Sequence, residues 1–272
     1  MGPQAQLDAF LASAPGRQLR NDGIEWRYRV AGSGTQALLL LPGAVGDGEA
    51  FFTLAPRLSG THRLIAIAYP RVDSLARLLD GLRAILDRER VESTDLVGGS
   101  FGGLVAQAFL RRFPQRTRRV VLSATGPATP ARAASNVRWS GRIGRIPIGV
   151  SRALLRLVVR VALKKVTADR VFWRDFYFRA IAATTREDLV SRYALSAGID
   201  RHGPPSLAAL QDWAGKMLIL EGAADKIARG DARDSLKALY PHAQVRTFEG
   251  VGHAIAAQRR DEWAAAIAGF LR

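Results

Sequence analysis

The chain has 272 residues, 48% of them hydrophobic, and 40 Lys and Arg against 24 Asp and Glu give it a net charge of +16. That length and apolar share suit one domain with a large core and room for an insertion. No run reaches the roughly 18 uncharged apolar residues of a membrane span, and the lack of cysteine excludes disulfides and thiolate metal sites.

Residues 1–16 carry no basic segment followed by an apolar one, so no secretory leader is read there and a cytoplasmic location is expected. Residues 24–30 alternate in polarity and predict an early strand. The apolar run 36–41 predicts a second, and Pro42-Gly43-Ala44-Val45-Gly46 follows as a loop. His62 stands at the edge of a third strand over 63–68. Leu75, Leu78, Leu79, Leu82, Ile85 and Leu86 recur at helical spacing, which predicts a helix over 74–88.

Residues 91–97 read as a short buried strand and 104–110 as a helix, with Gly98-Gly99-Ser100-Phe101-Gly102-Gly103 between them. A serine between small residues on a sharp strand-to-helix turn is a nucleophile elbow. Side chains at Gly98, Gly102 and Gly103 would clash in such a turn. The turn exposes the hydroxyl and sets the amide of Phe101 beside it, where it can stabilise an oxyanion. G-x-S-x-G alone is weak in a chain with 26 glycines; the strand and helix around it make it specific.

After a strand at 120–123 the pattern changes. From 126 to 211 strand-like runs disappear and helices and turns dominate. Residues 127–210 hold 15 Lys and Arg against 5 Asp and Glu, a net of +10. Arg152, Arg156, Arg160 and Lys164 make one helical stripe, and Leu154, Leu155, Val158, Val159, Ala162 and Val166 fill the other side. Three readings of the stripe stay open: a solvated basic face, attraction to an anionic membrane surface, or attraction to an acidic substrate. No nucleic-acid-binding motif accompanies the charge, so no nucleic-acid partner is expected. Phe172, Trp173, Phe176, Tyr177 and Phe178 either pack this segment onto the core or line an acyl pocket.

A serine nucleophile needs a base, and the base an orienting acid. Residues 216–221 predict a strand leading into Gly222-Ala223-Ala224-Asp225, and 244–248 predict another leading into a glycine loop with His253, ahead of a last helix at 261–271. His253 is the candidate base; His62, His202 and His242 are read as surface or loop residues. Asp225 is the candidate acid, with Glu221 as rival. Asp95, Asp200, Asp212 and Asp231 are read as caps and solvated loop residues. The second oxyanion donor is assigned to the amide of Ala44, with Val45 second. No metal-ligand spacing and no phosphate-binding loop is found, so no cofactor or metal is assigned.

The order Ser100, Asp225, His253, each after a strand, resembles that of the α/β-hydrolases over nearly the whole chain. Residues 41–52, 63–70 and 238–243 are most similar to the maspardin-like branch. Where generic members carry Asp-x-x-Gly-x-Gly-x-Ser, this chain has Tyr69-Pro70-Arg71-Val72-Asp73. The resemblance implies an α/β-hydrolase fold: a mainly parallel central sheet with helices on both faces and a helical cap insertion. Residues 1–126 and 211–272 would form the core and 127–210 a basic cap. It implies a serine hydrolase acting on a small-molecule ester or related acyl bond through an acyl-enzyme. Thioesterase, acyltransferase and carbon–carbon hydrolase chemistry share the same triad. Maspardin itself keeps the elbow serine without a histidine in the last loop, so the branch also implies an alternative, a non-catalytic module with a protein partner and a vestigial pocket.

Overall fold

Leu38, Leu39, Leu40 and Leu41 have no solvent exposure, which a strand allows only when both faces of its sheet are covered. The computed structural model describes residues 1–205 and 210–272; residues 206–209, at the end of the expected 127–210 insertion, lie outside the described residues. Eight strands are seen: Gly16–Asn21 (β1), Ile24–Ala31 (β2), Gln36–Leu41 (β3), His62–Ala68 (β4), Thr94–Gly99 (β5), Thr117–Ser123 (β6), Lys216–Gly222 (β7) and Gln244–Phe248 (β8). They form one sheet in the order β1-β2-β4-β3-β5-β6-β7-β8. β2 runs antiparallel to β1 and β4, and all other neighbours are parallel. The fold is therefore α/β with a mostly parallel sheet, as expected; β1 and the first helix were not foreseen.

The helices are Pro3–Ser13 (α1), Ala55–Leu58 (α2), Leu75–Arg88 (α3), Phe101–Arg112 (α4), Pro130–Ile143 (α5), Ile148–Ala162 (α6), Arg170–Ala183 (α7), Arg186–His202 (α8), Gly230–Leu239 (α9), Ile255–Gln258 (α10) and Arg260–Phe270 (α11). Strand alternation divides the core. Leu39, Leu41, Ile65, Leu96 and Leu122 pack beneath α3 and α4, and Leu38, Leu40, Leu64, Val97 and Val121 pack against α1 and α11. No described helix is long and apolar enough to cross a membrane.

α5 to α8 enter between β6 and β7. α5 lies along α8. α7 is fastened to the core through Phe52, whose ring centroid lies 5.8, 5.7 and 6.1 Å from those of Phe172, Trp173 and Phe176. These aromatics pack the insertion down, one of the two roles expected of them.

Four expectations are corrected. His62 is buried in β4, with Nε2 3.6 Å from an oxygen of Asp95. Asp95 is itself buried, held by Arg118 at 3.1 Å and Arg119 at 2.9 Å from β6. Asp200 is buried too, and its carboxylate accepts from the Thr129 amide, Arg132 and Asn136. The reason is the same for both carboxylates: a buried carboxylate survives when cations or donors from other segments reach it. Asp212 and Asp231 are exposed as read, as are His202 and His242. The fourth correction concerns α6: Arg160 and Lys164 are exposed, as a solvated basic face requires, but Arg152 and Arg156 are half-buried while Leu154 and Val158 face solvent.

Candidate active site

Ser100 follows β5 directly and stands at the N-cap of α4 with φ 51° and ψ −115°. A non-glycine residue at positive φ is strained backbone, and the surroundings hold it there. The Ser100 amide donates to the Ser123 carbonyl at 2.9 Å, and its carbonyl accepts from the Gly103 amide at 2.9 Å and Thr125 Oγ1 at 2.8 Å. The turn is also too tight for side chains. A Cβ at Gly98 would overlap the Gly102 carbonyl, and one at Gly102 would overlap the Leu41 carbonyl. The Ser100 side chain caps no amide of α4, so its hydroxyl is left to another partner.

That partner is His253. Its Nε2 lies 3.0 Å from Ser100 Oγ, and its Nδ1 2.8 Å from Asp225 Oδ2. Ser100 is 153 residues from His253 and Asp225 is 28, so three separate loops are brought together. The Asp225 side chain is fully buried, and that of His253 is 19% exposed. Asp225 Oδ1 accepts from the amides of Ile227 at 2.8 Å and Ala228 at 3.0 Å. A carboxylate only accepts hydrogen bonds, so Nδ1 carries the proton. Nε2 then keeps a lone pair for the Ser100 hydroxyl.

Glu221 is turned elsewhere. It is buried on β7, where its carboxylate takes Lys237 at 3.2 Å and Thr247 Oγ1 at 2.9 Å. Sequence reasoning missed what holds the acid loop. Arg233 of α9 donates to the carbonyls of Gly222 at 2.8 Å and Ala223 at 3.2 Å. The Ala224 amide ties the same loop to the Val251 carbonyl at 2.8 Å, two residues before His253 in the chain. An arginine in a polar helix start carries no local signal of that role.

The loop after β3 passes beside the serine: a Cβ on Gly43 would lie 3.8 Å from Ser100 Cβ. Ala44 is exposed and Val45 half-buried on this loop. Phe101 is buried at the first turn of α4. Its ring meets that of Tyr69 edge-on at 5.5 Å. A cavity of about 620 Å³ is lined by Ala44, Gly46, Tyr69, Phe176 and Arg192 among others. Arg192 is a second residue the sequence did not reveal. Its guanidinium lies 5.0 Å from the Tyr69 ring centroid and donates to the Tyr69 carbonyl at 2.8 Å. Burial pushes the Tyr69 hydroxyl well above the usual tyrosine range and pulls Arg192 down. Burial, with the Glu49 carboxylate nearby, also raises Asp47 on this loop to about 6. Among the described residues no three His, Asp or Glu side chains gather as a metal site.

The arrangement can polarise a hydroxyl toward attack on a carbonyl. Comparison with known proteins gives the family. A family model described as the alpha/beta hydrolase family matches residues 38–266. An uncharacterised protein of Mycobacterium tuberculosis is 29% identical over 271 residues, covering 85% of this chain and 73% of its own. A 2-hydroxymuconate semialdehyde hydrolase of Pseudomonas putida is 26% identical and covers 94% of both chains. The maspardin similarity is partial: the Danio rerio protein is 37% identical over 73 residues, 26% of this chain and 24% of its own. Among solved structures, a hydrolase from Pseudomonas aeruginosa superimposes with a TM-score of 0.78 at 21% identity, over 94% of this chain and 98% of that one. A Thermogutta terrifontis esterase gives 0.74 at 20% identity, over 95% and 98%. At these identities the two structures speak for the fold.

Proposed function

The chain belongs to the alpha/beta hydrolase family, and from that membership we propose that it is a serine hydrolase of carboxylic esters or related acyl bonds. The observation that carries this reading is the His253 imidazole, 2.8 Å from Asp225 on one side and 3.0 Å from Ser100 Oγ on the other. Ser100 Oγ attacks the acyl carbonyl while His253 Nε2 takes its proton. The carbonyl oxygen becomes an oxyanion between the amides of Ala44 and Phe101. His253 then hands its proton to the leaving alcohol, leaving an acyl-enzyme on Ser100. Water deprotonated by the same Nε2 releases the acid. Asp225 holds the imidazole with Nδ1 protonated and offsets its positive charge. The inserted helices α5 to α8 serve as a cap.

A paired base and acid beside the serine weigh against a non-catalytic interaction module, which needs neither. Labelling with a fluorophosphonate probe and turnover of a p-nitrophenyl ester series test the reading. Wild type should label and turn over. Ser100→Ala should lose the label, keep its circular dichroism, and lose about 10³-fold or more in kcat. Folded wild type that neither labels nor hydrolyses, or Ser100→Ala with unchanged turnover, would overturn it.

A further inference from the structure

α6 divides into three stripes. Ser151, Leu155 and Val159 turn inward, followed past the helix end by buried Leu163 and Val166. Arg152, Arg156 and Arg160 lean on α7. Arg152 donates to the Thr184 carbonyl at 3.1 and 2.9 Å, and the guanidinium groups of Arg156 and Arg160 lie 5.6 and 5.4 Å from the Phe178 ring centroid. The third stripe is apolar and faces solvent. Val150 is 49% exposed, Leu154 and Leu157 55%, Val158 48% and Val161 61%. Of eleven large hydrophobic residues exposed among the described residues, five sit on this one helix. An unpartnered apolar stripe of that size marks an interaction surface.

Charge selects what covers it. Residues 127–168 contain nine Lys and Arg and no Asp or Glu. Arg142 and Arg145, exposed, precede α6, and Lys164 and Lys165, exposed, follow it. Apolar side chains between two groups of cations match a bilayer with anionic headgroups, where long basic side chains reach the phosphates while the apolar stripe enters the acyl boundary. A second copy of the chain fits poorly, since it would bring two acid-free basic faces together. At 15 residues and a rise of about 1.5 Å per residue, α6 is too short to span the roughly 30 Å hydrocarbon core, so it would lie in the surface plane.

We propose that α6 is an interfacial anchor that seats the protein on anionic membranes through Val150, Leu154, Leu157, Val158 and Val161. Gln258 links the anchor to the candidate active site: its Nε2 donates to the carbonyl of Ala162, the last residue of α6, at 3.0 Å, and its Oε1 accepts from the Gly252 amide at 3.1 Å, next to His253. The anchor does not depend on the hydrolase reading, which fluorophosphonate labelling tests separately.

The chain has no cysteine, so a single introduced one reports position cleanly. An environment-sensitive fluorophore is placed at Leu157→Cys and, as a control on the β8 edge, at Val245→Cys. Vesicles are phosphatidylcholine alone or an equal mixture with phosphatidylglycerol. At low salt the protein should co-sediment with the mixed vesicles only. The label at 157 should brighten and shift to the blue, and the label at 245 should not. Leu154→Gln with Leu157→Gln and Val161→Gln should weaken binding at least tenfold while fluorophosphonate labelling is unchanged. No co-sedimentation, or co-sedimentation with the 157 label still in water, overturns the anchor. A wild-type dimer in sedimentation velocity that the triple variant converts to monomer also overturns it, by giving the stripe to a second copy.

Discussion

Replacing Asp225 by Asn tests the proposed orienting carboxylate against its rival within the geometry of the site. The amide oxygen of Asn can keep both bonds now made by Oδ1, from the amides of Ile227 at 2.8 Å and Ala228 at 3.0 Å. Its NH₂ then takes the place of Oδ2, 2.8 Å from His253 Nδ1. Two N–H groups cannot face each other, so the imidazole must move its proton to Nε2. Nε2 then donates to Ser100 Oγ and can no longer act as base. Flipping the amide would avoid this only by turning NH₂ onto two backbone amides. That leaves two buried donors unpaired at about 1–3 kcal/mol each, so the unflipped amide and the wrong tautomer should prevail. A wrong tautomer in such a triad costs about 10⁴-fold in kcat, or about 5.5 kcal/mol of barrier. Glu221→Gln, whose side chain meets Lys237 and Thr247, should change kcat by less than about tenfold and act on stability instead. The assay is steady-state hydrolysis of a p-nitrophenyl ester by both variants, with thermal melts to establish folding. Asp225→Asn within tenfold of wild type, or a larger loss in Glu221→Gln, would refute the reasoning.

Gly102→Ala should lower the melting temperature and abolish ester turnover. The new Cβ overlaps the Leu41 carbonyl, and this outweighs the gain of about 1 kcal/mol that Ala normally brings to a helix; a melt equal to wild type would show the elbow to be looser than described. Asp95→Ala should destabilise by about 3–5 kcal/mol, because it strands Arg118 and Arg119 beside His62 without their carboxylate. Burial alone would raise the Asp95 carboxyl, but His62 and the two arginines hold it below the usual range. A carboxyl depressed in the folded state stabilises above its unfolded value and loses that contribution as pH falls. The gap between wild type and Asp95→Ala in thermal melts should thus be full at neutral pH and close below about pH 4; a gap constant down to pH 3 would contradict it.

The candidate site was legible because its parts announce themselves locally. The turn at Ser100 needs glycines, and Asp225 and His253 each follow an apolar run, so the three residues that the structure brings within hydrogen-bond reach could be picked out from strand ends alone. What stayed hidden depends on partners far away in the chain. Asp95 looked like a cap because Arg118 and Arg119 reach it only once β5 and β6 are paired, 23 and 24 residues on. Arg192 lies 123 residues from the Tyr69 carbonyl it holds.

α6 marks a different limit. Its periodicity was read correctly as amphipathic, but a helical pattern gives the angles between stripes and not which stripe meets the protein. An apolar stripe normally turns inward because burial releases about 25 cal/mol per Å². Here Ser151, Leu155 and Val159 already occupy the inward arc, and Phe178 and the Thr184 carbonyl offer the arginines a surface of their own. With both positions taken, the remaining hydrophobic residues are left in water. Such an arrangement raises the free energy of the isolated protein, and a partner that removes those five side chains from water recovers it.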